Sequence, residues 1–180
     1  MTIMTGVAYP LFVTLVAQIS FPFKANGSFV HHKGSIVGSG LISQKFVSDI
    51  YFWPRPSAID YNPLPSGGSN LGPISADLQA EVTERKNQLN KANPTAGNIP
   101  HDLLFASGSG LDPDISPEAA RYQIDRVARA RGLDAVQKSG LAALVEKCIQ
   151  PRTLGIFGEP RVNVLHLNLA IDSSFAGRNP

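Results

Sequence analysis

The side chains with chemical capacity in this chain are few and widely spaced. Asp112 and Asp114 stand two apart in a stretch rich in Gly and Pro, where they could raise the local cation concentration. As acids just before Pro117 they read more simply as favourable charge at the positive end of a helix. Ser66, Gly67, Gly68, Ser69 and Asn70 form a Gly-rich run of the kind that contacts phosphates through backbone amides. No basic residue follows it, and a turn is the plainer reading. His31 and His32 are adjacent, so on a strand they point to opposite faces and chelate poorly. His101 and His166 show no ligand spacing either, so no metal site is expected. Cys148 is the single cysteine, which excludes an intrachain disulfide and a Cys-rich zinc site; it reads as a small apolar residue on a helix face. A GxxxxGK(S/T) phosphate loop is absent, and no catalytic residue is expected.

The elements that must position these groups begin with an apolar stretch. Residues 1–23 carry no charge and include Ile3, Val7, Leu11, Phe12, Val13, Leu15, Val16, Ile19, Phe21 and Phe23. A hydrocarbon core needs roughly 20 helical residues, so this segment is expected to be an uncleaved transmembrane helix. A secretory signal is the weaker reading, because no basic residue precedes the run and the exit is bulky. Pro10 removes one backbone donor and is expected to kink the helix, as membrane helices tolerate when neighbours repack around the break. Tyr9 and Pro10 are therefore candidates for contact with other spans. Residues 24–180 are expected to form one mixed α+β domain of about three helices and a small sheet.

Within that domain, Ser28 to Val30 and Ser35 to Ile42 read as short strands or a hairpin. Ser75 caps a predicted helix carrying Leu78, Val82 and Leu89, stopped at Asn93 and Pro94. Ser116–Pro117–Glu118 opens a second helix that ends at Gly132. Asp134 with Gln137 forms a capping box for a third, running to Pro151. Leu165, Leu167, Leu169 and Ile171 alternate with polar or small residues, the period of a half-buried strand. Arg121, Arg126, Arg129 and Arg131 are expected on the solvent side of their helix. Tyr51, Phe52 and Trp53, beside Pro54 and Pro56, are the better interface candidates, since aromatic residues dominate contact energies. The formal charge of +2 is too small and too dispersed for a nucleic-acid surface.

Several phrases are more specific. TGVAYPL at Thr5 to Leu11, GSGLISQKF at Gly38 to Phe46, YFWPRPSA at Tyr51 to Ala58 and YNPLPSGGSNLGP at Tyr61 to Pro73 stand in order. ASGSGLDPDISPEAA at Ala106 to Ala120, RVARARGL at Arg126 to Leu133 and GEPRVNVLHLNLAID at Gly158 to Asp172 follow. Together they resemble the C-chain family of the Kdp potassium-transporting ATPase, nearly end to end. Members of that family usually carry further residues, basic ones among them, before the apolar run.

The resemblance implies an accessory, non-catalytic subunit of an ATP-driven potassium uptake pump at the bacterial inner membrane, with its folded domain outside the cytoplasm. Its partners would be the potassium-conducting subunit and the P-type ATPase subunit. The DKTGT phosphorylation sequence of P-type ATPases is absent here. The family is described as a catalytic chaperone that raises the ATP affinity of the catalytic subunit, which makes Ser66 to Asn70 the ATP-contact candidate. An extracytoplasmic domain cannot meet cytoplasmic ATP, so the expected coupling is allosteric, with no cofactor of the chain's own. The alternative is a free-standing extracytoplasmic binding module.

Overall fold

The computed structural model describes residues 1–94 and 96–175, and the chain divides into two compact units, Met1–Leu41 and Ile42–Pro180. The first unit opens with a π-helical turn at Met4–Ala8, followed by α1 (Tyr9–Ser20) and α2 (Pro22–Ala25). A hairpin of β1 (Phe29–His32) and β2 (Ser35–Ser39) completes it, with Lys33 and Gly34 at positive φ in the turn. The strands pair antiparallel, with a register shift between Val30 and His31.

The expected transmembrane helix is not found: among the described residues no helix is long and apolar enough to cross a membrane. The apolar composition is there, but the helix is interrupted. Pro10 cannot donate to the preceding turn, and the regular α-helix is the 12 residues Tyr9–Ser20, about 18 Å at 1.5 Å per residue. Phe21 leaves helical geometry at φ −142° and ψ 56° before Pro22 restarts a short turn.

In the second unit, α3 (Ala76–Ala92) starts at the Ser75 cap and stops at Asn93, as expected from the sequence. A short α4 (His101–Leu104) and β3 (Asp114–Ile115) lead to α5 (Pro117–Ala130), capped by Ser116. Gly132, at φ 62°, turns the chain into α6 (Ala135–Cys148), where Asp134 and Gln137 complete both halves of the capping box. β4 (Val162–Asn163) pairs antiparallel with β3 and runs directly into α7 (Val164–Ser174).

α7 replaces the strand expected from the alternation of Leu165, Leu167, Leu169 and Ile171. Asn163 caps it by accepting the amide of His166. Val164, Leu165, Leu167, Asn168 and Ile171 are buried, and four of them, Val164, Leu167, Asn168 and Ile171, make a helical i, i+3, i+4, i+7 stripe. The alternating leucines fit a strand only if Asn168 faces water; it is buried. The core gathers Phe52, Ile115, Val127, Leu141, Val145, Val162, Leu167 and Ile171. Each such side chain withdrawn from water contributes roughly 1.5–3 kcal/mol. Cys148 is half-buried on α6 against this core, and burial pushes its thiol pKa up.

Candidate functional site

The segment Asp49–Trp53 has no strand partner, yet its five carbonyls and the amides of Phe52 and Trp53 are hydrogen bonded by side chains of α5, α7 and the turn after α5. Asn168 accepts the Phe52 amide at 2.8 Å and donates back to the Phe52 carbonyl at 3.0 Å. Gln123 treats Trp53 the same way, at 2.8 and 3.1 Å. Arg126 donates to the carbonyls of Asp49 and Tyr51, at 2.7 and 3.0 Å. Arg131 donates to the Ile50 carbonyl at 2.7 Å. Side-chain amides and guanidinium groups thus do the work of a neighbouring strand, which satisfies the polar backbone of a segment that descends from exposed Asp49 to fully buried Phe52.

Two of the arginines expected to face solvent are therefore buried: Arg126 is 2% exposed and Arg131 4%. Arg126 stacks on the Trp53 ring with its guanidinium carbon 3.8 Å from the centroid. Desolvation lowers its pKa to about 10. Arg131 also pairs with Asp172 at 2.7 Å, and the Tyr51 hydroxyl donates to the other oxygen of that carboxylate at 3.0 Å. Burial, with the adjoining Asp172, raises the Tyr51 pKa. Arg121, by contrast, is exposed and binds Glu146. Arg129 reaches the Ala92 carbonyl.

Of the aromatic candidates, Phe52 has no exposed area and packs in the core. Tyr51 and Trp53 are half-buried. Trp53 helps to line an open cavity of about 240 Å³ with Phe46, Pro54, Tyr61, Arg85 and Leu103. The Tyr61 hydroxyl donates to the Arg55 carbonyl at 2.9 Å, and burial pushes its pKa up to about 12. Arg85 is engaged by Glu81 and the Leu104 carbonyl.

The Gly-rich run Ser66 to Asn70 packs against a second one, Ser107 to Gly110. The Gly67 amide donates to the Ser109 carbonyl at 3.1 Å. A Cβ at Gly68 would stand 2.8 Å from the Gly108 carbonyl oxygen. Gly110, at φ +69°, leaves no room either: a Cβ there would meet Ile59 Cγ1 at 2.5 Å and the Gly67 carbonyl at 2.8 Å. The glycines here permit backbone to approach backbone.

Asp112 and Asp114 do not serve the start of α5. Asp112 holds Arg55 at 2.9 Å and accepts the amide of Asp114. Asp114 accepts from Asn163 and pairs with Arg161 at 3.0 Å, while burial raises its pKa. The acids at the helix start are Glu118, in the first turn of α5, and Asp102 of α4, which accepts the Ser116 amide and hydroxyl at 2.8 and 3.1 Å. In the first unit Tyr9 and Pro10 are exposed on α1. Among the described residues no His, Cys, Asp or Glu cluster could hold a metal ion.

Sequence reasoning missed Gln123, Arg126, Arg131 and Asn168 as a set. A local signal existed for one: Asn168 falls on the apolar stripe of α7 once that segment is read as a helix.

A model of the family described as "KdpC: K+-transporting ATPase, c chain" matches residues 1–173. Among curated relatives, a potassium-transporting ATPase KdpC subunit of Rhodospirillum rubrum is 52% identical, covering 97% of this chain and 91% of the relative. Proteins of the same name from Leptospira interrogans and Herpetosiphon aurantiacus are 49% and 50% identical, covering 97% and 95% of this chain and 89% of each relative. With the match running through both units at about half identity, the chain belongs to the KdpC family, the C chains of K+-transporting ATPases.

Proposed function

We propose that the chain is the non-catalytic assembly subunit of an ATP-driven potassium pump, holding to the potassium-conducting and P-type ATPase subunits. The observation that carries this reading is the family match from residue 1 to 173, which leaves little of the chain for a separate activity. The polar side chains point the same way. The buried Gln123, Arg126, Arg131 and Asn168 are spent on the backbone of Asp49–Trp53, an architectural use and not a catalytic one.

The exposed apolar side chains of the first unit, Leu11, Phe12 and Ile19 among them, suit an element covered by the apolar surroundings of a membrane complex. In this reading the second unit stands outside the cytoplasm, and any effect on ATP affinity passes through the partner subunits as a coupling between sites. The free-standing binding module is not favoured, because the relatives are named as subunits of the ATPase.

The test is a mild-detergent pull-down of the tagged full chain from native membranes, read by mass spectrometry. Recovery of a P-type ATPase and a potassium-conducting subunit supports the reading; recovery of the chain alone, with the partners expressed, rejects it. A phosphatase fusion after residue 180 reports sidedness, and activity is expected only with the second unit outside. ATP binding by the purified chain that Gly67→Ala and Gly68→Ala abolish would restore a direct nucleotide role.

A further inference from the structure

Beyond the second-unit core, residues Gln150 to Arg161 form a small hairpin whose tip carries three large apolar side chains in solvent. Leu154, Ile156 and Phe157 are 84%, 72% and 63% exposed. Two antiparallel bridges, Gln150 with Arg161 and Thr153 with Phe157, make the hairpin. At the tip the amides of Thr153 and Phe157 bond across the bridge at 2.8 and 2.9 Å. The amides of Gly155 and Ile156 bond back to Arg152 and Thr153 at 3.0 and 3.2 Å. Most of the tip's donors are thus satisfied internally, so the tip can lose water without stranding them.

Leu154 is the second signal. It occupies a left-handed turn position, φ 55°, next to Gly155 at φ 74°. Such a position is normally filled by Gly, Asn or Asp, because a branched apolar side chain there is strained. The strain is not repaid inside the chain, since the Leu154 side chain is almost fully exposed. Strain retained at an exposed position points to use by something outside the chain.

The rim selects the kind of partner. Arg152 is neutralised by Glu159 at 2.5 Å, and Arg161 by Asp114 at 3.0 Å. A knob made for anionic lipid would keep free cations beside its apolar tip, whereas paired charges around an apolar centre match a protein interface. We propose that the Leu154–Phe157 tip is a docking knob that seats in an apolar pocket, of neutral rim, on another subunit of the same pump. This rests on the reading of the chain as a pump subunit.

A photo-crosslinking amino acid placed at Ile156 tests it in membranes containing the whole pump, with exposed Val136 of α6 as the reference position. The expected result is an adduct with a pump subunit at Ile156, at least tenfold above that at Val136. Adducts with lipid alone, with a second copy of the chain, or with nothing overturn the proposal. Leu154→Gly separates docking from folding, because glycine relieves the positive φ. Its melting temperature is expected to hold or rise while recovery of partner subunits falls at least tenfold; unchanged recovery overturns the knob. If the unaltered chain recovers no pump subunit, the subunit reading itself fails. If it recovers them and the tip variants do so equally, only the knob fails.

Discussion

Asn168→Ala should be among the most damaging single changes in the chain. The amide side chain is 2% exposed and makes both hydrogen bonds of the Phe52 backbone, at 2.8 and 3.0 Å. Truncation leaves one donor and one acceptor unpaired at a residue with no exposed side-chain surface. Each buried unpaired group costs about 1–3 kcal/mol, so the pair sums to about 4 kcal/mol, against the roughly 5–15 kcal/mol that holds a typical domain. Urea unfolding of the full chain in mild detergent reads this directly, because Trp53, the single tryptophan, adjoins Phe52. With a denaturant slope of about 1–3 kcal/mol per molar, the midpoint should fall by more than 1 M. Asn168→Asp keeps the acceptor but loses the donor and adds charge, so it should not rescue. Combined with Gln123→Ala the loss should be less than additive, since the first change already loosens the segment that the second would release. A loss below about 1 kcal/mol for Asn168→Ala would refute the view that these side chains stand in for a strand.

Three further outcomes follow from the same geometry. Gly110→Ala, whose Cβ would meet Ile59 Cγ1 at 2.5 Å from a left-handed backbone, should lower stability by about 2–4 kcal/mol in urea titration, with Gly67→Ala, which meets open space, as the mild comparison. Arg126→Lys keeps the charge but loses the planar stack on Trp53, so about 2 kcal/mol should be lost with a red shift of the tryptophan emission. Tyr61 has its folded pKa raised from 10.0 to about 12. The sign is that of a group favouring its protonated form: its stabilisation is complete below pH 10 and is lost as pH rises through about 12. Ultraviolet titration should show a late phenolate step that Tyr61→Phe removes.

Helix starts were legible because they are local. Ser75, Ser116 and Asp134 each declare a cap within three residues of the amide they accept, and the hairpin in the first unit was equally readable. α7 was not, because Leu167 and Ile171 satisfy both a two-residue and a helical period; the deciding fact, burial of Asn168, depends on Phe52 far away in sequence. The burial of Arg126 and Arg131 is illegible in the sequence for a related reason. A charged residue reads as exposed until the unpaired carbonyls of Asp49, Ile50 and Tyr51 are brought against it. The apolar composition of residues 1–23 is plain in the sequence, but composition does not reveal where a regular α-helix stops; the π-helical turn at Met4–Ala8 and the geometry at Phe21 do. The exposed apolar tip at Leu154 to Phe157 lies between the helix predicted to end at Pro151 and the strand predicted from Leu165, in a stretch with no periodic signal.

The side-chain clamp on Asp49–Trp53 also has a consequence in time. Phe52 and Asn168 are 116 residues apart in the chain, and Arg131 and Asp172 close the same segment from 41 residues apart. While the polypeptide is being made, the aromatic segment emerges early and waits, its backbone solvated, until nearly the whole chain has followed. Contacts of such long span slow folding and make the last helix the latch of the structure. A chain released before residue 168 would carry almost all of the core yet lack the group that locks it, and proteases would find the Tyr51 to Trp53 stretch open.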